Sequence, residues 1–185
     1  MIRLIPALFI LCVSMRTFAE DYIEFVDRAE RFGVSFPGQP MVRDTTYLSE
    51  EGSKLPARLY TVQSTSGNYS VTVVNYMTVE PTFVRASIAW AAWNIRKRGG
   101  DITYDAFAQV DRIEGHQLHV TNADKSRTFV AIHQHARRLY ILEATVPPNS
   151  VPPTLFEQSL RILDENGTQI RYNLDADGNR TTRIR

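Results

Sequence analysis

The chain has 185 residues, 43% hydrophobic and 22% charged, with 21 basic against 20 acidic side chains and a formal net charge of +1. That balance argues against a bulk electrostatic binder of nucleic acid or anionic membrane. The length suits one ordinary domain with a sizeable core, and a single cysteine, Cys12, excludes a disulfide framework.

Residues 1–19 read as a secretory signal. Arg3 gives a positive start, Leu4 to Val13 an almost unbroken apolar run, and Thr17-Phe18-Ala19 places small residues where a signal peptidase reads. The run falls well short of the roughly 20 apolar residues that span a bilayer, so cleavage after Ala19 is expected rather than anchoring. Cys12 follows the bulky Leu11, unlike a lipoprotein signal, and leaves with the segment. The expected mature chain is periplasmic or secreted, holds no cysteine, keeps no membrane anchor and has 19 basic against 20 acidic residues. Residues 20–173 are expected to form one domain and residues 174–185 a flexible polar tail.

From Tyr22 to Met77 short aromatic and β-branched runs alternate with turns. Tyr22 to Val26 and Arg31 to Phe36 precede the turn Pro37-Gly38-Gln39-Pro40, where two residues lack a ladder donor. Val42 to Leu48, Ala57 to Gln63 and Tyr69 to Thr78 follow. In the last, Val71 and Val73 point one way and Val74 and Tyr76 the other, which predicts a central strand covered on both faces. The period then becomes helical between Pro81 and Gly99-Gly100, with Val84, Ile88, Ala91 and Ile95 as one stripe and Trp93 projecting almost opposite.

Strands return at Ile102 to Arg112, Gln117 to Thr121, Arg127 to His135 and Leu139 to Val146. Alternation through the turns places Leu118, Val120, Phe129, Ala131, Tyr140, Leu142 and Ala144 on a common core face. Prolines 147, 148, 152 and 153 lead into a second helix, with Thr154 and Glu157 at capping-box spacing and Leu155, Phe156, Ser159, Leu160 and Leu163 along one side. Thr168 to Asn173 suits an edge strand. Strand runs interrupted by two helices define an α+β class, a largely antiparallel sheet with both helices packed on it.

With Phe32-Gly33-Val34-Ser35-Phe36-Pro37-Gly38-Gln39-Pro40 at its start, this order of elements resembles the PsbP-like and Mog-type α/β/α sandwich. Segments such as Arg138 to Ala144 and Phe156 to Leu160 resemble uncharacterised exported proteins of proteobacteria. The likeness spans roughly residues 25–172. It implies the sandwich fold and a protein-binding or assembly role in the bacterial envelope, with another envelope or secreted protein as partner; no interface residue carries over.

Candidate sites are few. A hairpin over Asn122 to Ser126 that sets His116 opposite His133 would bring His135 to the same face, and three imidazoles at one sheet end suit zinc or copper. A metal-binding protein or metal-dependent enzyme built on this meander is the alternative function. Asp105, Asp111 and Glu114 lie near His116 in sequence and could support acid–base work. Trp90 and Trp93, with Arg96 and Arg98 at the helix end, form the candidate partner surface. Asn173, Asp175, Asp177 and Gly178 match the start of a calcium loop, but its twelfth place is Ile184 instead of the bidentate glutamate. The chain shows no nucleophile elbow, paired-histidine zinc motif or phosphate-cradling glycine loop, so no cofactor is implied and an enzyme is not the expected reading.

Overall fold

The computed structural model describes residues 21–184, so the expected signal segment and Cys12 lie outside the described residues. Short β-branched runs between tight turns assemble into a chain of hairpins. β1 (Ile23–Asp27) and β2 (Phe32–Phe36) pair first, followed by β3 (Met41–Leu48), β4 (Lys54–Ser64) and β5 (Gly67–Asn75). Helix α1 (Pro81–Arg96) crosses to β6 (Asp101–Val110), and the meander continues through β7 (Ile113–Thr121), β8 (Arg127–His135) and β9 (Arg138–Val146). These last seven strands make one antiparallel sheet in the order β3-β4-β5-β9-β8-β7-β6. β3 and β6 are its edges. Among the described residues no helix is long and apolar enough to cross a membrane.

Two cores lie on opposite faces. On one, α1 sets Val84, Ala91, Ala92 and Ile95 against Val74, Leu118, Val120, Val130, Ile132 and Leu139. On the other, β1 and β2 join a short β10 (Arg161–Ile162), and this small sheet buries Phe32, Val34, Phe36 and Ile162 against Tyr60, Val71, Tyr140 and Leu142. Each fully buried ring or branched chain contributes ~1.5–3 kcal/mol. The phenol tips are not wasted: Tyr60 donates to Asp27 Oδ2 at 2.7 Å and Tyr140 to the Glu30 carbonyl at 3.1 Å, locking the layers together. β5 is interior and apolar on both sides, as its two-sided pattern predicts.

Pro81 opens α1 where its missing N–H costs nothing, and Gly99 and Gly100 end it at φ +86° and +96°. At Gly100 a Cβ would lie 2.9 Å from the Thr121 carbonyl oxygen, so a side chain there would push the start of β6 off β7.

Three expectations are corrected. The second helix is a single turn, α2 (Thr154–Glu157), capped by Pro153 and lacking the Thr154 side-chain cap. Its continuation is needed elsewhere: Ser159 Oγ accepts from the Ser35 N–H at 2.8 Å, and Arg161 and Ile162 pair with β2. The expected tail from residue 174 is instead part of a hairpin, β11 (Arg171–Leu174) and β12 (Arg180–Ile184), turned by Asp175, whose carboxylate accepts from the N–H groups of Asp177 and Asn179. Third, Leu118 and Val120 face α1, opposite to Phe129, Ala131, Tyr140, Leu142 and Ala144. The ladder pairs Thr121 with Arg127, one place from the register that would unite them.

Candidate functional site

The same one-residue offset decides the histidines. His116 pairs with Ile132 and faces α1; His133 pairs with Gly115 and faces the small sheet. The drawn three-imidazole centre is therefore not formed. Among the described residues no group of three His, Cys, Asp or Glu side chains is placed to hold a metal ion. His133 is buried, with Nδ1 lacking a hydrogen-bond partner, and burial pushes its pKa down to about 4. His135 meets the Tyr172 hydroxyl at 2.8 Å. His119 shares the His133 face and meets the buried Glu157 at 2.9 Å between the rings of Tyr104 and Phe129.

On the α1 side His116 enters a polar knot. Arg96 grips Asp105 with both arms, Nε and an Nη each at 2.8 Å, while His116 Nε2 lies 2.5 Å from the same carboxylate. The Arg96 guanidinium, with His116 assisting, holds the Asp105 carboxyl down at about 2. The knot closes one end of a groove of about 620 Å³ between α1 and the β6–β7 edge, floored by Ile88, Ala89 and Ala92. Phe107 stands at its rim, 92% exposed. Asp111, by contrast, is engaged by Gln169 at 2.5 Å and lies away from this group.

The four nominated partner residues divide. Arg96 is held by Asp105, and Arg98 grips both Glu143 carboxylate oxygens at 2.7 and 2.8 Å, fastening α1 to β9. Trp90 and Trp93 stack at 4.8 Å; Trp90 Nε1 donates to the Leu48 carbonyl at 2.9 Å, and Lys97 lies 3.9 Å over the other ring. Trp93 is 43% and Phe83 37% exposed. Phe83, Ala86, Trp90, Trp93 and Lys97 follow one another at steps of three, four, three and four, a second stripe on α1 that faces away from the core.

Sequence reasoning passed over Phe107 and the His119–Glu157 pair, and did not join Phe83 and Lys97 to the tryptophans as one stripe. Lys97 and Phe83 were within reach, because the 3–4–3–4 spacing is written in the chain. The His119–Glu157 contact joins positions 38 residues apart and leaves no local trace.

No protein-family model matches the chain and no curated protein matches it. Among solved structures it is similar to cyanobacterial PsbP (CyanoP) from Synechocystis sp. PCC 6803, determined in solution. The match has 10% sequence identity, covers 80% of this chain and 95% of that one, and has a TM-score of 0.48. A likeness of that size carries nothing on activity, ligands or partners.

Proposed function

We propose that the chain is an exported, non-catalytic binding module with a PsbP-like sandwich, and that the outer stripe of α1 docks an amphipathic helix of another envelope or secreted protein. One observation carries this reading: Trp93 is large, half-exposed and already held rigid, with Trp90 on one ring face and Lys97 on the other. An aromatic ordered before binding loses little entropy on docking, which is what partner anchors share. The 3–4–3–4 step matches the ridges of a second helix, and Lys97 at the end of the stripe favours a partner carboxylate. Export is supported by the Arg3, Leu4–Val13 and Ala19 pattern. The metal-binding alternative needs His116, His133 and His135 at one point, and the β7–β8 register supports no such point.

The test is a photo-crosslinking amino acid placed at position 93 and, as a control, at the exposed Val151, in protein expressed in its native envelope. A helical segment of one protein should crosslink from 93 and not from 151, and a Trp93→Glu variant that melts normally should no longer copurify with it. Equal crosslinking from both positions, or a partner retained by Trp93→Glu, would overturn the proposal.

A further inference from the structure

The β6 edge makes a separate demand. It is a ten-residue edge strand with no proline or lysine, and along Tyr104–Val110 its only charge is Asp105, already neutralised by Arg96. Natural edges are normally blunted by charges, prolines or cover. The opposite edge follows that rule, with Arg43 and Asp44 in the middle of β3. A bulge between Ile102 and Tyr104 disturbs the first residues of β6, but from Tyr104 onward the ladder to β7 is regular.

Parity shows which main-chain groups are left over. The β6–β7 hairpin turns through Asp111 and Arg112, both at positive φ, so Val110 and Ile113 close it as a hydrogen-bonded pair. Counting back, Val110, Ala108, Ala106 and Tyr104 bond to β7. Gln109, Phe107 and Asp105 turn their N–H and C=O groups outward, where no strand among the described residues meets them.

We infer that this edge pairs with β6 of a second copy of the chain, antiparallel about a two-fold axis through Phe107. The segment is self-complementary in that register. Phe107 meets Phe107 of the copy, Asp105 meets Gln109, Ala106 meets Ala108 and Tyr104 meets Val110, so apolar faces apolar and the one carboxylate faces an amide. Each outward residue exchanges both its main-chain bonds with an outward residue, as an antiparallel ladder requires. There is also room. α1 packs over β7, β8 and β9, so the groove of about 620 Å³ above β6 is left open. In the pair the two grooves join, and the two Phe107 rings, each 92% exposed in the single chain, are covered there.

Sedimentation equilibrium of the purified full chain at micromolar concentration is the test, and a dimer is expected. Phe107→Lys sets two like charges on the axis and should raise the dissociation constant by roughly 30-fold or more. Phe107→Pro removes an N–H that its own chain does not use, so circular dichroism should be unchanged while the dimer is lost. Val42→Lys, on the β3 edge, should leave the dimer intact. As a check independent of folding changes, Phe107→Cys combined with Cys12→Ser should form a disulfide-linked pair under mild oxidation. A monomer at every concentration, a dimer indifferent to both Phe107 substitutions, or a cysteine variant that fails to crosslink would overturn the inference.

Discussion

His133 lies across the β7–β8 ladder from Gly115, and its ring occupies the place where a side chain at 115 would begin: a Cβ there would collide with Nδ1 and Cε1. The glycine is required on steric grounds, by the His133 ring and by the Ile132 carbonyl oxygen, since no positive φ is involved. Gly115→Ala should therefore cost about 1–3 kcal/mol by overpacking, read from the urea midpoint. His133→Ala removes the ring but leaves the Ile132 carbonyl oxygen against the new Cβ, so the double variant should recover only part of the Gly115→Ala loss.

Burial makes His133 a source of acid sensitivity. Its pKa falls from the ordinary 6.5 to about 4 in the folded chain, so the unfolded chain binds the proton first as pH drops. The stabilising contribution is complete above pH 6.5 and is lost as pH falls through about 4. The full loss is of order 3 kcal/mol. Urea melts at pH 7 and 4.5 should show wild type weakening markedly more than His133→Leu; equal weakening would remove His133 as the cause.

How far the sequence could be read follows from what kind of information each feature needs. The two-sided apolar run of β5 and the stripe from Val84 to Ile95 are local, and both elements formed where periodicity placed them. The register of β8 on β7 depends on how the loop from Asn122 to Ser126 closes, with the Asn122 N–H on the Ser126 carbonyl and Lys125 at φ +69°. One residue there moves Leu118, Val120 and His116 together to the other face, which is why core face and histidine site erred as one. The second helix failed for a different reason. Thr154 and Glu157 favour a helix locally, but Ser159 is drawn to the Ser35 N–H, Arg161 and Ile162 to the edge of β2, and the gain from a third strand outweighs one more helical turn.

The Arg96–Asp105–His116 knot predicts a distinctive carboxyl titration. Followed by NMR, Asp105 should titrate near 2 in wild type and well above that in Arg96→Gln, because the guanidinium is the largest cause of the depression. A folded-state value held below the ordinary 3.8 stabilises the fold above that pH, and the stabilisation is lost as pH falls toward 2. An Asp105 midpoint unchanged by Arg96→Gln would show that the ion pair is not made in solution.

Trp90 and Trp93 are neighbours in a stack yet should respond oppositely to truncation. Trp90 is partly buried, and its Nε1–H reaches the Leu48 carbonyl at the end of β3, so it ties α1 to the sheet edge. Trp90→Ala removes that bond and the packing beneath it, and the expected cost is about 2 kcal/mol. Trp93 stacks on Trp90 and is 43% exposed. Its replacement by Ala should cost less than about 1 kcal/mol, the usual range for an exposed position, while lowering the fluorescence of the stacked pair. Thermal melts of the two variants side by side decide the point. If Trp93→Ala is the more damaging, the ring belongs to the core and the outer stripe of α1 is not a docking surface; if Trp90→Ala alone is costly, Trp93 is kept for something outside the fold.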